Sequence, residues 1–357
     1  MSTQRIKSLR ENLRSENLDG IIVTHLDHVR YLCGFTGTAG LLIVTMREAQ
    51  FFTDFRYVDQ ARQQVKGARV SIIKGELFAG LKDYHELNDK NFKYAFIADY
   101  LTVGQKKRLE VALPGVLLIP SDGLFAHLGW VKDGDEIARI REAVRISDLA
   151  FERILSMVAP GLRERELAAE LEWQMAMLGS ERPAFETIVA SGYRSAMPHG
   201  VASDKKIQKG DFVTFDFGAT VNGYVSDITR TVVVGKPTSR QKKIYELVLK
   251  AQLAAIARVR AGVMARAVDK AARSIIEKSG YGKNFGHGTG HGIGYYIHVG
   301  PRVGAQSDDK LVANNVITIE PGIYISGWGG VRIEDDVLVT RRGSQVLNKA
   351  PKNLLIV

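Results

Sequence analysis

A single cysteine, Cys33, excludes an internal disulfide and any zinc site built on paired thiolates, and it suits a reducing compartment. Nowhere do 18 apolar residues run together, so no membrane-spanning helix is expected. The opening MSTQRIKSLRENLRSENLDG spaces Ile6, Leu9 and Leu13 as an amphipathic helix does and lacks the apolar stretch of a signal peptide. These absences point to a cytoplasmic protein with no membrane partner. Tandem repeats, low-complexity tracts and heptad seams are also missing. The net charge of +10 invites a nucleic-acid reading, but the basic residues are scattered, with nothing longer than the triplet Lys106-Lys107-Arg108 and pairs such as Lys205-Lys206, Lys242-Lys243 and Arg341-Arg342. No nucleic-acid-binding signature accompanies them, so the charge is read as a solvated surface that favours anionic substrate ends.

What remains is an ordinary folded composition, 45% hydrophobic and 25% charged, in 357 residues, a length that suggests two domains. The first 125 or so residues alternate segments rich in β-branched side chains (21–24, 41–45, 50–53, 70–73, 94–98, 116–119) with helical patterns at 58–65 and 103–112. That alternation predicts a compact α/β domain with a mixed sheet. The pattern breaks between Pro120 and Asp135, where Ser121-Asp122-Gly123 and Lys132-Asp133-Gly134-Asp135 supply turn residues. The chain is therefore divided into domains 1–128 and 129–357. A long helix follows, marked on one face by Ile137, Ile140, Val144, Phe151, Ile154 and Val158, and further helices are expected over 164–178, 241–260 and 265–279. Strands dominate the rest, for an α/β (α+β) fold class.

The stretch GHGTGHGIGYYIH, residues 286–298, holds three of the eight histidines, His287, His291 and His298. The glycines between them let the backbone pass close to a ligand. Four carboxylates sit in unusually apolar company. Asp216 lies in the strand-like FVTFDFG, Asp227 follows the Asn222-Gly223 turn at the start of a strand expected over 224–234, Glu320 ends VITIE, and Glu334 sits at a strand end in the apolar run 330–336. Burying a carboxylate costs free energy unless it is paired or binds a cation. Singly, each Asp could bond a backbone amide or an arginine such as Arg230; together with one imidazole they suit two divalent cations. Oxygen-rich ligation with one histidine favours Mn2+ or Co2+, with Zn2+ and Fe2+ as alternatives. Two such ions roughly 3.5 to 4 Å apart can share a hydroxide and polarise a carbonyl, which is hydrolytic chemistry.

These residues resemble a known family. Asp216 in FDFGA, Asp227 in SDITRT, His291 in HGTGHGIG, Glu320 in TIEPGIY and Glu334 in VRIEDD are similar, in the same order, to the five metal ligands of the pita-bread metallopeptidases, the creatinase/methionine aminopeptidase superfamily. The segments YLCGFTG (31–37) and TDFRY (53–57) resemble the creatinase-type N-terminal domain of aminopeptidase P and prolidase. Methionine aminopeptidases lack such a domain and creatinase lacks the ligand set, so the combination leaves the proline-directed members.

The resemblance implies that Asp227 and Glu334 bridge two ions, that Asp216 completes one site, and that His291 and Glu320 complete the other. Glu320 would also be the general acid/base. His199, in MPHG, resembles a histidine lying over the substrate, and His287 and His298 resemble those that contact the scissile carbonyl; imidazoles suit a developing oxyanion. Arg332 would orient carboxylate ligands. Arg302 looks like an arginine that holds a substrate's proline carboxylate, with a solvated loop residue as the other reading. Val299 stands where many relatives carry an acid, outside the ligand set. The expected activity is removal of an N-terminal residue preceding proline from small peptides, an Xaa-Pro aminopeptidase, with an Xaa-Pro dipeptidase as the alternative and a catalytically silent binding protein as the remote one. By the same resemblance the chain would form a homodimer.

Overall fold

The computed structural model describes residues 2–84, 87, 91–121, 123–125 and 127–357, so the turn residue Asp122 lies outside the described residues. The chain divides into two compact units, Met1–Leu128 and Gly129–Val357. Among the described residues no helix is long and apolar enough to cross a membrane.

In the first unit α1 (Ser2–Ser15) buries Ile6, Leu9 and Leu13, the stripe that its sequence spacing predicts. The elements β1 (Gly20–Val23), α2 (Leu26–Cys33), β2 (Leu41–Thr45), β3 (Ala49–Asp54), α3 (Val58–Gln64), β4 (Arg69–Ile73), β5 (Lys93–Ile97), α4 (Val103–Ala112) and β6 (Leu117–Ser121) follow. The strands form one six-stranded sheet in the order β4-β3-β2-β1-β5-β6. β1 pairs antiparallel with β2, and β2 with β3, whereas β3–β4, β1–β5 and β5–β6 are parallel, which makes the sheet mixed as expected. The parallel pairs β3–β4 and β5–β6 are joined through α3 and α4, because a parallel connection needs a crossover. Ile22, Leu41, Phe52, Tyr94, Phe96 and Leu109 fill the core, and each such side chain contributes roughly 1.5–3 kcal/mol by burial.

In the second unit α5 (Gly134–Leu155) starts at a capping box. Asp133 accepts from the Glu136 N–H at 2.8 Å, and Glu136 accepts from the Asp133 N–H at 2.7 Å. The helix stops before Val158, which packs instead from the following turn. Pro160 disfavours helical backbone at Ala159, and Gly161 takes a left-handed φ of +96°. The elements α6 (Glu164–Met177), β7 (Ile188–Ser191), β8 (Phe212–Phe217), β9 (Thr220–Val221), β10 (Tyr224–Val225), β11 (Ile228–Val233), α7 (Ser239–Arg258), α8 (Ala265–Lys278), β12 (Gly290–Gly292), β13 (Val299–Val303), β14 (Val316–Ile319), β15 (Gly322–Ile325), β16 (Gly329–Arg332), β17 (Asp335–Val339) and β18 (Ser344–Val346) follow.

The strand expected over 224–234 is broken, and so is the apolar run 330–336. The 224–234 run splits because β10 pairs with β9 and β11 with β8, leaving Ser226 and Asp227 between them. The 330–336 run splits because β16 pairs with β15 whereas β17 pairs with β14 and β18, leaving Ile333 and Glu334 between them. Phe151, Ile154, Leu167 and Leu171 of α5 and α6 pack on Phe215 and Phe217 of β8 and Ile228 of β11. Tyr245, Val248, Val268 and Ile276 of α7 and α8 pack on Ile317, Ile319, Ile323, Val331 and Val337. Two apolar layers thus hold the strands whose interruptions carry Asp227 and Glu334.

Candidate metal centre

Of the five candidate ligands, only Asp216 and His291 lie within strands, β8 and β12. Asp227 precedes β11, Glu320 sits between β14 and β15, and Glu334 sits between β16 and β17. In the β8–β11 ladder Asp216 faces Thr229. The ladder ends where Gly218 lies against Ser226, whose carbonyl oxygen would be 1.9 Å from any Cβ at 218. That close approach releases Asp227 from strand pairing. Backbone bonds then draw the segments together, from the Glu334 N–H to the Thr229 carbonyl at 3.1 Å and from the Glu320 N–H to the Thr289 carbonyl at 2.8 Å. His291 is held beside β14 by a 3.0 Å bond from its N–H to Thr318 Oγ1. A Cβ at Gly290 would lie 2.0 Å from the Thr318 oxygen, and one at Gly292 would lie 2.1 Å from the Gly300 oxygen. The glycines flanking His291 therefore admit the neighbouring strands.

Ligand atoms of Asp227, His291 and Glu334 lie within 4.8 Å of one another. His291 Nε2 is 3.6 Å from Asp227 Oδ2 and 3.5 Å from Glu320 Oε1. Burial lowers the His291 pKa, so the ring is neutral. Its Nδ1 is 3.1 Å from the Gly292 carbonyl oxygen, which can only accept, so the proton belongs on Nδ1 and a bare Nε2 lone pair faces two carboxylates. Burial first, and then Glu334, Asp216, Asp336 and Glu320, push Asp227 well above the usual carboxylate range. Glu334 is raised by burial and by Glu320 and Asp216, and Glu320 by burial above all. Asp216 Oδ1 is buried without a hydrogen-bond partner. Lone pairs aimed at one another, repelling carboxylates and an orphaned oxygen fit a cluster built around cations.

Arg332, 3% exposed, joins the cluster to its surroundings. It donates from Nη2 to Asp216 Oδ2 at 2.5 Å, from Nε to Thr229 Oγ1 at 2.9 Å and from Nη1 to Tyr324 Oη at 2.8 Å. Thr229 Oγ1 in turn donates to Glu334 Oε2 at 2.6 Å. Arg332 reaches Glu334 through this hydroxyl and not along a shared strand. His287 Nδ1 is 2.7 Å from the Gly288 carbonyl oxygen, and Nε2 is 2.9 Å from Tyr324 Oη. Burial keeps that ring neutral too, so Nδ1 donates and Nε2 accepts the tyrosine proton, while the hydroxyl oxygen accepts from Arg332. Both nitrogens of His287 are engaged within the protein.

The His298 ring lies 4.5 Å from that of His291. Burial, then His291 and His199, hold its pKa down at about 4. His199 is exposed and, through that influence on His298, belongs to the same locale. Arg302 is exposed on β13, where its backbone N–H donates to Asp309 Oδ2 at 2.8 Å. Arg230, weighed as a partner for the aspartates, bonds Asp335 instead, at 2.7 Å.

Tyr324, Thr229 and Asp336 were not singled out by the sequence. Asp336, wholly buried, accepts from the Asp227 N–H at 2.9 Å. The acidic run EDD at 334–336 was its only signal, and nothing marked Tyr324 or Thr229, whose importance depends on partners more than 90 residues away for Thr229 and on a hairpin for Tyr324.

A family model described as metallopeptidase family M24 matches residues 138–341, and one described as the creatinase/prolidase N-terminal domain matches residues 5–128. An Xaa-Pro dipeptidase of Pyrococcus horikoshii is 37% identical over 358 residues, covering 99% of this chain and 99% of that one. The solved structure of an Xaa-Pro dipeptidase from Bacillus anthracis matches with a TM-score of 0.95 and 44% identity, covering 100% of both chains. An X-Pro aminopeptidase structure from Thermotoga maritima matches with a TM-score of 0.88 and 36% identity, covering 97% of this chain and 100% of that chain.

Proposed function

This chain belongs to metallopeptidase family M24, and from that premise we propose that it is a dinuclear metal-dependent exopeptidase hydrolysing the bond before proline in small peptides, with dipeptides preferred. The observation that carries this reading is the bare His291 Nε2 facing Asp227 and Glu320 at 3.6 and 3.5 Å, amid two further acids. The reading assigns catalysis to residues 129–357. By the family resemblance residues 1–128 would complete the active-site wall of a neighbouring subunit in a homodimer acting in the cytoplasm, limiting access to short peptide ends.

Asp227 and Glu334 would lie between two cations, Asp216 would complete one site, and His291 and Glu320 the other. Mn2+ suits this donor set best. When bound, the cations neutralise the acids, activate water and polarise the scissile carbonyl. Thr318 Oγ1, 3.2 Å from Glu320 Oε1, leaves Oε2 to take the proton of the attacking water. The new C–O bond forms as that proton leaves, and Glu320 returns it to the proline nitrogen when the C–N bond breaks. A neutral His298 donates an N–H to the oxygen that gains charge. His199 covers the peptide, and His287 holds the Tyr324–Arg332–Asp216 chain in one proton arrangement.

Sequence alone put the aminopeptidase first. The order is reversed here because relatives named as Xaa-Pro dipeptidases match at 37% and 44% identity over essentially the whole chain. The aminopeptidase stays as the second reading, supported by the Thermotoga maritima structure at 36% identity. Hydrolysis of Leu-Pro and of Leu-Pro-Gly by Mn2+-loaded protein separates the two. A higher kcat/KM for the dipeptide is expected, and a higher value for the tripeptide would transfer the assignment. Absence of bound or activating divalent ions would favour a silent binding protein.

A further inference from the structure

Glu164, at the start of α6, is 0% exposed and far in sequence from every candidate ligand. Its carboxylate accepts five hydrogen bonds. Oε1 takes the Ser191 N–H at 2.7 Å and Ser191 Oγ at 2.8 Å; Oε2 takes Arg194 Nε at 2.9 Å, the Ser203 N–H at 3.1 Å and Ser203 Oγ at 2.6 Å. Ser191 and Ser203 are the two ends of the loop that carries His199. Within the loop Arg194 Nη2 donates to the Val201 carbonyl at 2.6 Å, and the Val201 N–H donates to the His199 carbonyl at 2.9 Å. Arg332 Nη1 donates to the Pro198 carbonyl at 3.2 Å, so the tip is tied to the guanidinium that bonds Asp216. The His199 side chain, by contrast, is exposed. An exposed imidazole keeps a fixed position only if its backbone is fixed, and a buried carboxylate with five donors is a strong way of fixing it.

We propose that Glu164 is a positioning residue for hydrolysis, joining both ends of the 191–203 loop and thereby setting where His199 stands over the bound peptide. This rests on the reading of His199 as a substrate-side group. Glu164→Gln would turn an amide N–H2 towards existing donors while keeping the shape. Activity is measured on Mn2+-loaded protein in the wild-type and His199→Ala backgrounds. In the wild-type background kcat is expected to fall on the order of tenfold to a hundredfold, with KM and metal content little changed. In the His199→Ala background the same substitution should cost nothing further. An equal fractional loss in both backgrounds, or no loss in either, overturns the proposal. Ser203→Ala, which removes one donor and leaves the carboxylate paired, is judged by the same comparison should Glu164→Gln fold poorly. Amide exchange across 194–201 should also quicken in either variant while β8 and β11 stay protected; unchanged exchange overturns the anchor. Because exchange needs no turnover, a wild-type enzyme inactive on every Xaa-Pro peptide would count against the proposed function and leave the anchor judged separately.

Discussion

Arg230 Nη2 donates to Asp335 Oδ1 at 2.7 Å with side chains only 2% and 0% exposed. The same guanidinium bonds the carbonyls of Thr229, Glu334, Ala350 and Pro351. Asp335 also takes Gln252 Nε2 at 2.8 Å and Lys352 Nζ at 2.7 Å. The pair therefore fixes the backbone of a candidate ligand without belonging to the ligand set. Asp335→Asn should destabilise the protein by about 3–5 kcal/mol, since it leaves a buried cation undercompensated. Urea unfolding measures this, and a change below 1 kcal/mol would contradict the account.

Asp227→Ala should abolish both metal retention and hydrolysis, because this acid would lie between both cations. It should not lower the melting temperature of the metal-free protein, since Asp227 is buried among acids that repel it. Metal analysis, turnover and a thermal melt in chelator test the three parts. Activity with normal metal content would remove Asp227 from the centre.

Arg302→Ala should raise KM for Leu-Pro roughly tenfold to a hundredfold, the size of a charged hydrogen bond, and leave KM for Leu-Pro-Gly unchanged. Equal effects on the two substrates would return Arg302 to a solvated surface role, as its exposure alone allows.

In the first unit, burial and the neighbouring His25 push His28 down to about 3, and its ring stacks on Phe125 at 4.3 Å. The folded state keeps this imidazole neutral, whereas the unfolded chain takes up a proton below about 6.5. Stability is thus full above pH 6.5 and is lost as pH falls towards 3. Between pH 7 and pH 5 the loss should be about 2 kcal/mol, and His28→Phe should reduce it. Amide exchange in α2 at the two pH values measures the difference; identical pH dependence in the variant would exclude His28 as the source.

Much of this organisation was legible in the sequence, for identifiable reasons. Apolar spacing such as Ile6, Leu9 and Leu13 reports a buried face directly, and it did so correctly. Asn222 and Gly223 take the positive φ values, 49° and 78°, that their chemistry favours in a tight turn. Acids in apolar company stood out because burying them is costly, and Asp227, His291 and Glu334 do lie together. The strand interruptions beside Asp227 and Glu334 were not legible, because an apolar run says that a segment is buried without saying which neighbour it bonds. For the same reason the sequence could not tell that Arg332 meets Asp216 while Arg230 meets Asp335. Burial of His28 was equally silent, since nothing in its local sequence distinguishes it from a surface histidine.

Asp227, Glu320 and Glu334 stand in gaps between strands, outside the ladders that hold the sheets. For these three acids chemistry and architecture are therefore written in different positions of the chain, whereas Asp216 and His291 are written into β8 and β12 themselves. On the proposed reading, mutational drift at these three sites would erase or retune reactivity while the scaffold persists, whereas drift at Asp216 or His291 would touch both. Such separation makes a fold evolvable: one inherited frame can be re-equipped for new substrates, or disarmed altogether, by changes at very few positions.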